Sequence, residues 1–281
     1  LKKRDVTGVL VMLERMEPLR GYPEAIVRPE AGDRPFDVER VAPSAALAEF
    51  VDYYWLVRWR TGEPHRQQVI PQPRLHVAAE DGRLLVHGVT REPFFRTLTG
   101  TGHVLGAAFH PGGFRPLLKG SVSALSGLVR PGADVLGRDD RPVAARILRP
   151  APETAEVVAD LERYLLDTVP EPDATAREVT ALVEEARQRT GIVRAEQLAA
   201  HAGLGLRSLQ RTFAEYVGIG PKWIVRRFRI LEAAAAAHAG EPVDWSALAP
   251  RLGFSDQAHL TRVFTQVVGT PPATYQRMPG A

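Results

Sequence analysis

The 281-residue sequence contains no cysteine, which excludes disulfides, thiolate metal sites and cysteine nucleophiles in any compartment. Direct transfer of an alkyl group from damaged DNA, which needs a cysteine acceptor, goes with them. Long apolar runs are also missing. VLVML at 9–13 is too short for a membrane span and runs into Glu14 and Arg15, so the chain reads as cytoplasmic, without a membrane partner. No His-x-His pair occurs, although five of the eight histidines (His65, His76, His87, His103 and His110) lie between 65 and 110. Metal-binding barrels of the cupin kind use such a pair with a following Glu and a distant His, so neither a metal nor another cofactor is expected. HPGG at 110–113 lacks the Lys-Ser/Thr ending of a nucleotide loop. It reads as a turn that needs glycine freedom before a helix, FRPLLK.

What remains is a globular composition, 44% hydrophobic and 25% charged, with length enough for two domains. The net charge of +3 is unevenly placed: from residue 191 onward 10 Lys+Arg stand against 6 Asp+Glu, and before it 26 stand against 27. A basic last third suits a nucleic-acid partner, a solvated surface being the alternative.

Prolines 18, 23, 29, 35 and 43 predict irregular chain to about residue 43, with roughly the first 15 residues poorly ordered. Ser44 then caps a short helix, AALAEF. VDYYWLVRW is aromatic and β-branched and reads as a strand. QQVIP, RLHVAAE, RLLVHGV and GHVLGAAF follow as four more, separated by turn signals such as Asp81-Gly82 and Gly100-Thr101-Gly102. Short strands so spaced predict an antiparallel sandwich or small barrel. From about 140 the pattern is helical. Val157, Leu161, Tyr164 and Leu165 share one helix face, as do Val179, Leu182 and Val183 on a second, with VPEPDAT at 169–175 as a linker. The expected class is α+β: a β-rich domain over 1–140, a helical connector over 141–190 and an all-α domain over 191–281.

The last segment contains one pattern twice. Leu198, Ala199 and Gly203 match Leu248, Ala249 and Gly253; Leu209, Arg211, Phe213, Gly218 and Pro221 match Leu260, Arg262, Phe264, Gly269 and Pro272 after one extra residue. Each copy is a short helix, a glycine turn and a longer helix, the grammar of a helix-turn-helix unit. In the longer helices Leu209, Phe213 and Val217, and Leu260, Phe264 and Val268, form inward stripes. Arg207, Gln210 and Arg211 lie outward in the first copy; Gln257, Ala258, Thr261 and Arg262 do so in the second, with His259 at the edge. Arg and Gln pair bidentately with guanine and adenine in the major groove. Any one such residue is ordinary on a surface helix, and its recurrence in both copies points to DNA. Between the copies PKWIVRRFRILEAAAAAHAG predicts a rigid strut started by Pro221. On it Trp223, Ile224, Phe228 and Leu231 would hold both units, and Arg226, Arg227 and Arg229 lie on or beside a polar side, facing phosphates or solvent.

LAAHAGLGLRSLQRTFAEYVGIGPKWIVRRFRI and LAPRLGFSDQAHLTRVFTQVVGTPPATYQR together resemble the two-unit DNA-binding domain of AraC/XylS-type transcriptional regulators, over about residues 191–277. The resemblance implies two recognition helices in successive major grooves, about 34 Å apart. It implies that Arg207, Gln210 and Arg211 read one half-site, and that Gln257, Ala258, His259, Thr261 and Arg262 read or clamp the other. Ala258 departs towards a small side chain that offers only an apolar contact. The resemblance also implies a domain ahead of the reader that senses a small molecule or dimerises. YYWLVRW, VIPQPRLHVA, VHGV and GAAFHPGGFRPLL resemble a β-rich sensor of one subgroup, more weakly. Tyr53, Trp55, Trp59 and His76 are its candidate effector-pocket residues, ordinary core aromatics being the alternative. Because alternate strand residues face opposite ways, at most two of Tyr53, Tyr54, Trp55 and Trp59 are expected on one side.

The reading is therefore a one-component transcription regulator and not an enzyme. Its partners would be double-stranded DNA, a small-molecule effector, RNA polymerase and a second copy of the chain. The rival readings are a metal-dependent barrel enzyme fused to a reader, and an architectural DNA-binding protein without an effector.

Overall fold

The computed structural model describes residues 36–238 and 242–277; the expectations for the first 35 residues lie outside them. The antiparallel β-domain takes the form of a single six-stranded sheet. Its strands are β1 (Phe36–Val41), β2 (Val51–Val69), β3 (His76–Glu80), β4 (Arg83–His87), β5 (Phe94–Phe109) and β6 (Val129–Pro131), in the order β1-β2-β5-β3-β4-β6. Asp81 and Gly82, both with positive φ, close the two-residue hairpin between β3 and β4.

Several local expectations are corrected. FDVERV, placed in irregular chain, is edge strand β1. AALAEF is a run of turns and not a helix. QQVIP is no separate strand: most of it continues β2, because Gly62, Glu63 and Pro64 sit in a register shift between Thr61 and His65 while β5 keeps pairing beyond it. Gly100-Thr101-Gly102 lies inside β5 and does not break it. FRPLLK gives only a 3-10 turn, Arg115–Leu117.

The two sheet faces follow from the register. Tyr54, Ala107, Val77 and Val86 pair across one row, and Leu56 with Leu105 across the next, all buried. Against this face pack four helices: the short α1 (Gly132–Leu136), α2 (Arg141–Ile147), α3 (Thr154–Leu166) and α4 (Ala174–Gln188). Val157, Leu161, Tyr164 and Leu165 are buried as their spacing predicts, and so are Val179 and Val183. Asp173 caps α4, its carboxylate accepting from Thr175 N at 2.8 Å.

Gly112 and Gly113 of HPGG are required for a different reason from the one expected. Neither has positive φ. Instead a Cβ on Gly113 would lie 2.3 Å from Phe50 O, and one on Gly112 2.7 Å from Ala176 O. The loop is pressed between the start of β2 and α4. Gly113→Ala should therefore lower unfolding stability by about 1–3 kcal/mol through overpacking, read as a shift in urea midpoint at unchanged slope.

The chain continues with α5 (Ala195–His201), α6 (Leu206–Tyr216), α7 (Pro221–His238), α8 (Trp245–Arg251), α9 (Gln257–Val268) and α10 (Pro272–Arg277). One apolar core runs from the sheet through α3 and α4 into α5, α6 and the first half of α7; a second joins the rest of α7 to α8, α9 and α10, with Ile70 of the β-domain. The strut α7 therefore belongs to both cores. Its buried alanines, Ala233, Ala234 and Ala237, let the second unit approach closely.

Candidate nucleic-acid interface

The repeat in the sequence is a repeat in space. In the first unit Gly203 N donates to Ala200 O and Leu204 N to Ala199 O; in the second Gly253 N donates to Pro250 O and Phe254 N to Ala249 O. Both pairs form the Schellman stop of a helix, with Gly203 and Gly253 at positive φ. The same turn therefore sets the same angle between the two helices of each unit. Leu209, Phe213 and Val217 are buried, as are Leu260, Phe264 and Val268. Gly218 and Gly269, also at positive φ, end the longer helices.

Burying those stripes leaves the outward faces open. Arg207, Gln210 and Arg211 on α6 are exposed, and so are Gln257, Ala258 and Arg262 on α9; His259 and Thr261 are half-buried. Among the described residues, Arg207, Gln210, Arg211, Gln257 and Arg262 have no ion-pair or side-chain hydrogen-bond partner, so their donors face solvent on both helices. Thr265 Oγ1 donates back to Thr261 O, leaving the Thr261 hydroxyl itself unengaged by that bond. His259 differs: its ring is turned towards the strut, where Arg226 Nη2 lies 2.6 Å from Nε2.

The N-termini of α6 and α9 are built differently. Asp256 caps α9, accepting from His259 N at 2.7 Å, and this bond with that from Ser255 holds its carboxyl below the usual range. Gly205 precedes α6 without a side-chain cap. The extra residue of the second copy falls in the turn that carries this cap.

On the strut, the polar stripe is narrower than the sequence suggested. Lys222 is exposed and Arg226 half-buried, but Arg227 and Arg229 are each 1% exposed, so neither reaches a phosphate. The reason is that the middle of α7 is surrounded. Arg227 Nε donates to Pro71 O of the β-domain. Arg229 Nη2 donates to Ala186 O at 2.8 Å and to Arg187 O at 3.3 Å, at the end of α4, while Nη1 meets Glu232 at 2.9 Å. Guanidinium donors satisfying the last carbonyls of α4 suit the negative end of its dipole.

Both reader units also touch the β-domain directly. Arg115 pairs with Glu215 at 2.6 Å, and Ser121 Oγ donates to Ala214 O at 3.0 Å, holding α6. Gln68 Nε2 donates to Val268 O at 2.8 Å, holding the end of α9.

Of the expected effector-pocket residues, Tyr53, Trp55 and Trp59 share one face of β2, three and not two, because odd positions alternate away from Tyr54; His76 lies on the same face through its pairing with Ala108. The indole rings of Trp55 and Trp59 lie over Gly106 and Gly102, where a Cβ would collide with them at 2.3 and 2.5 Å. Trp55 Nε1 donates to His76 Nδ1 at 3.2 Å, and burial, with Arg74 and His87 nearby, pushes that histidine down to about 3. His76 is thus a neutral acceptor at physiological pH. None of the four lines the cavity of about 340 Å³ between the β-domain, α4 and the strut, whose walls include Asp52, Arg74, His110, Glu184, Arg187 and Phe228. Arg74 pairs with Asp52 on one wall and Arg187 with Glu184 on the other. That cavity had no signal in the sequence, since its walls come from separate segments spread between Asp52 and Phe228. Among the described residues no group of three or more His, Asp or Glu is gathered as metal ligands, and no helix is long and apolar enough to cross a membrane.

Residues 39–130 match a domain of unknown function, DUF6597, and residues 198–278 match a helix-turn-helix domain. Among solved structures, ToxT from Vibrio cholerae is similar at 11% identity and a TM-score of 0.37, covering 86% of this chain and 97% of that one. The unsaturated-fatty-acid-bound wild-type ToxT of strain SCE256 is similar at 12% identity and a TM-score of 0.35, covering 90% of this chain and 98% of that one. At these values the superpositions are too loose to bear on function. The weight rests on the repeated unit and its family match: the chain carries an AraC-type helix-turn-helix domain in its last third, with a DUF6597 domain ahead of it.

Proposed function

We propose that the chain works in three parts, a sensor over 1–140, a connector over 141–190 and a reader over 191–281, and that a small molecule bound by the first alters DNA binding by the last. Arg207, Gln210 and Arg211 read one half-site, and Gln257, Ala258, His259, Thr261 and Arg262 read or clamp the other. The observation that carries the reading is the strut. It packs in both cores, and Arg227 and Arg229 fasten it to the β-domain and to α4. A change in either neighbour therefore moves the element that sets the separation of the recognition helices.

The polar cavity beside the strut is where a ligand would touch all three parts at once. The sheet face of Tyr53, Trp55, Trp59 and His76 supplies a second, more apolar surface in the sensor. A second copy of the chain and RNA polymerase are the further partners this reading calls for.

Selection of bound sequences from a random duplex pool tests it, with and without a small-metabolite extract. Two enriched half-sites about one helical turn apart, roughly 34 Å, and an extract-dependent change in occupancy are expected. Enrichment that ignores the extract in every fraction would remove the sensing role, and no enrichment would remove the reader.

A further inference from the structure

The second recognition helix is tied to the strut by a contact that requires a neutral histidine. A guanidinium only donates, so at 2.6 Å from Arg226 Nη2 the Nε2 of His259 must accept. Its ring proton then sits on Nδ1 and is donated to Ser255 Oγ, 3.2 Å away, so the 3.4 Å approach of Ser255 N to the same nitrogen is a contact and not a hydrogen bond. Ser255 Oγ donates in turn to Asp256 Oδ2 at 3.0 Å, and Asp256 caps the helix. The donor chain runs unbroken from strut to cap. The first unit has Leu204, Gly205 and Ser208 at the positions of Ser255, Asp256 and His259, and lacks it.

Positive charge is in surplus around this imidazole. Lys222 and Arg226, one turn apart on the strut, and Arg262, one turn along α9, oppose its protonation, and only Asp256 favours it. The edge of Phe254 packs against the ring at 5.3 Å between centroids. Burial, followed by the cations, holds His259 below the ordinary histidine range. Arg226 spends a donor on a histidine lone pair while Lys222 and Arg262 add positive charge beside it, and this arrangement calls for an anion.

We propose that Lys222, Arg226 and His259 form a clamp for one phosphate of the DNA backbone, which takes up one proton as it closes. The clamp rests on the reading that this domain grips duplex DNA. A phosphate oxygen entering between Arg226 and His259 accepts from both. Arg226 turns its N–H from imidazole to oxygen, Nε2 takes a proton from solvent and donates it to the oxygen, and Nδ1–H stays on Ser255, so the helix cap survives. The phosphate charge offsets the repulsion from Lys222, Arg226 and Arg262, and the histidine pKa rises on binding. Proton uptake on binding means that affinity increases as pH falls between the bound-state and free-state pKa values, by at most about tenfold per pH unit for one proton.

The test is a fluorescence-anisotropy titration of the full chain on its selected duplex at about pH 8 and about pH 6, at constant ionic strength. Wild type should bind about three- to tenfold more tightly at the lower pH. His259→Gln can accept from Arg226 and donate to Ser255 but cannot take a proton; its affinity should be flat across this range and below wild type at the lower pH. Arg226→Gln should reduce the slope of log affinity against log salt by about one. Equal pH dependence in wild type and His259→Gln, or none in wild type, overturns the clamp. Absence of selective binding by wild type at both pH values would instead overturn the DNA reading beneath it.

Discussion

Alanine at both Arg211 and Arg262 should abolish sequence-selective DNA binding and leave the fold in place. The two residues occupy the same position in the two copies, each exposed and without an ion-pair or hydrogen-bond partner among the described residues. Neither contributes to a core, so the change costs stability no more than an ordinary surface substitution, within about 0.5 kcal/mol. In the groove each bidentate contact to guanine discriminates by about 1–3 kcal/mol. Because they sit on different helices their losses add, to about 2–6 kcal/mol, a fall of some thirtyfold to more than ten-thousandfold in preference for the selected duplex over a scrambled one. Anisotropy titrations on the two duplexes read the preference, and thermal denaturation by circular dichroism reads the fold. A double variant that keeps the wild-type preference would show that other groups do the reading.

The two helix-turn-helix units were legible in the sequence because their determinants are local. Leu209, Phe213 and Val217 declare a buried stripe by spacing alone, Gly203 and Gly253 declare the turn, and what is left over must face out. The sheet was less legible. β1 alternates as Phe36, Val38 and Arg40 against Asp37 and Glu39, a strand signal masked by the prolines on either side; β6, three residues long, carries no signal at all. Gly100 and Gly102 look like turn residues, yet Gly102 leaves room for the Trp59 ring within a continuous strand. The junction was not legible. Whether an arginine on a helix meets solvent or a backbone carbonyl depends on what surrounds that helix, and Arg227 and Arg229 meet Pro71 and Ala186, respectively 156 and 43 residues away. A local pattern cannot register such partners.

Arg229 gives the largest expected change in stability. Its guanidinium is 1% exposed and satisfies Ala186 O, Arg187 O and Glu232 together. Arg229→Ala leaves two carbonyls without that donor and a part-buried carboxylate without its cation, a loss of about 3–5 kcal/mol measurable by urea unfolding. Arg229→Met fills most of the same space, so its smaller deficit isolates the polar part. The loss should depend on pH in a definite direction. Burial already raises the Glu232 pKa above its ordinary value, and Arg229 opposes that rise; without the arginine the folded-state pKa climbs further. A carboxyl whose folded pKa lies above its unfolded one penalises folding at neutral pH, and the penalty fades as pH falls towards the unfolded value of about 4.3. The gap between wild type and Arg229→Ala should therefore narrow between about pH 7 and pH 5 and be restored on return to neutrality. A gap that is constant across that range would mean that Glu232 finds another partner, and that the two α4 carbonyls account for the whole of the loss.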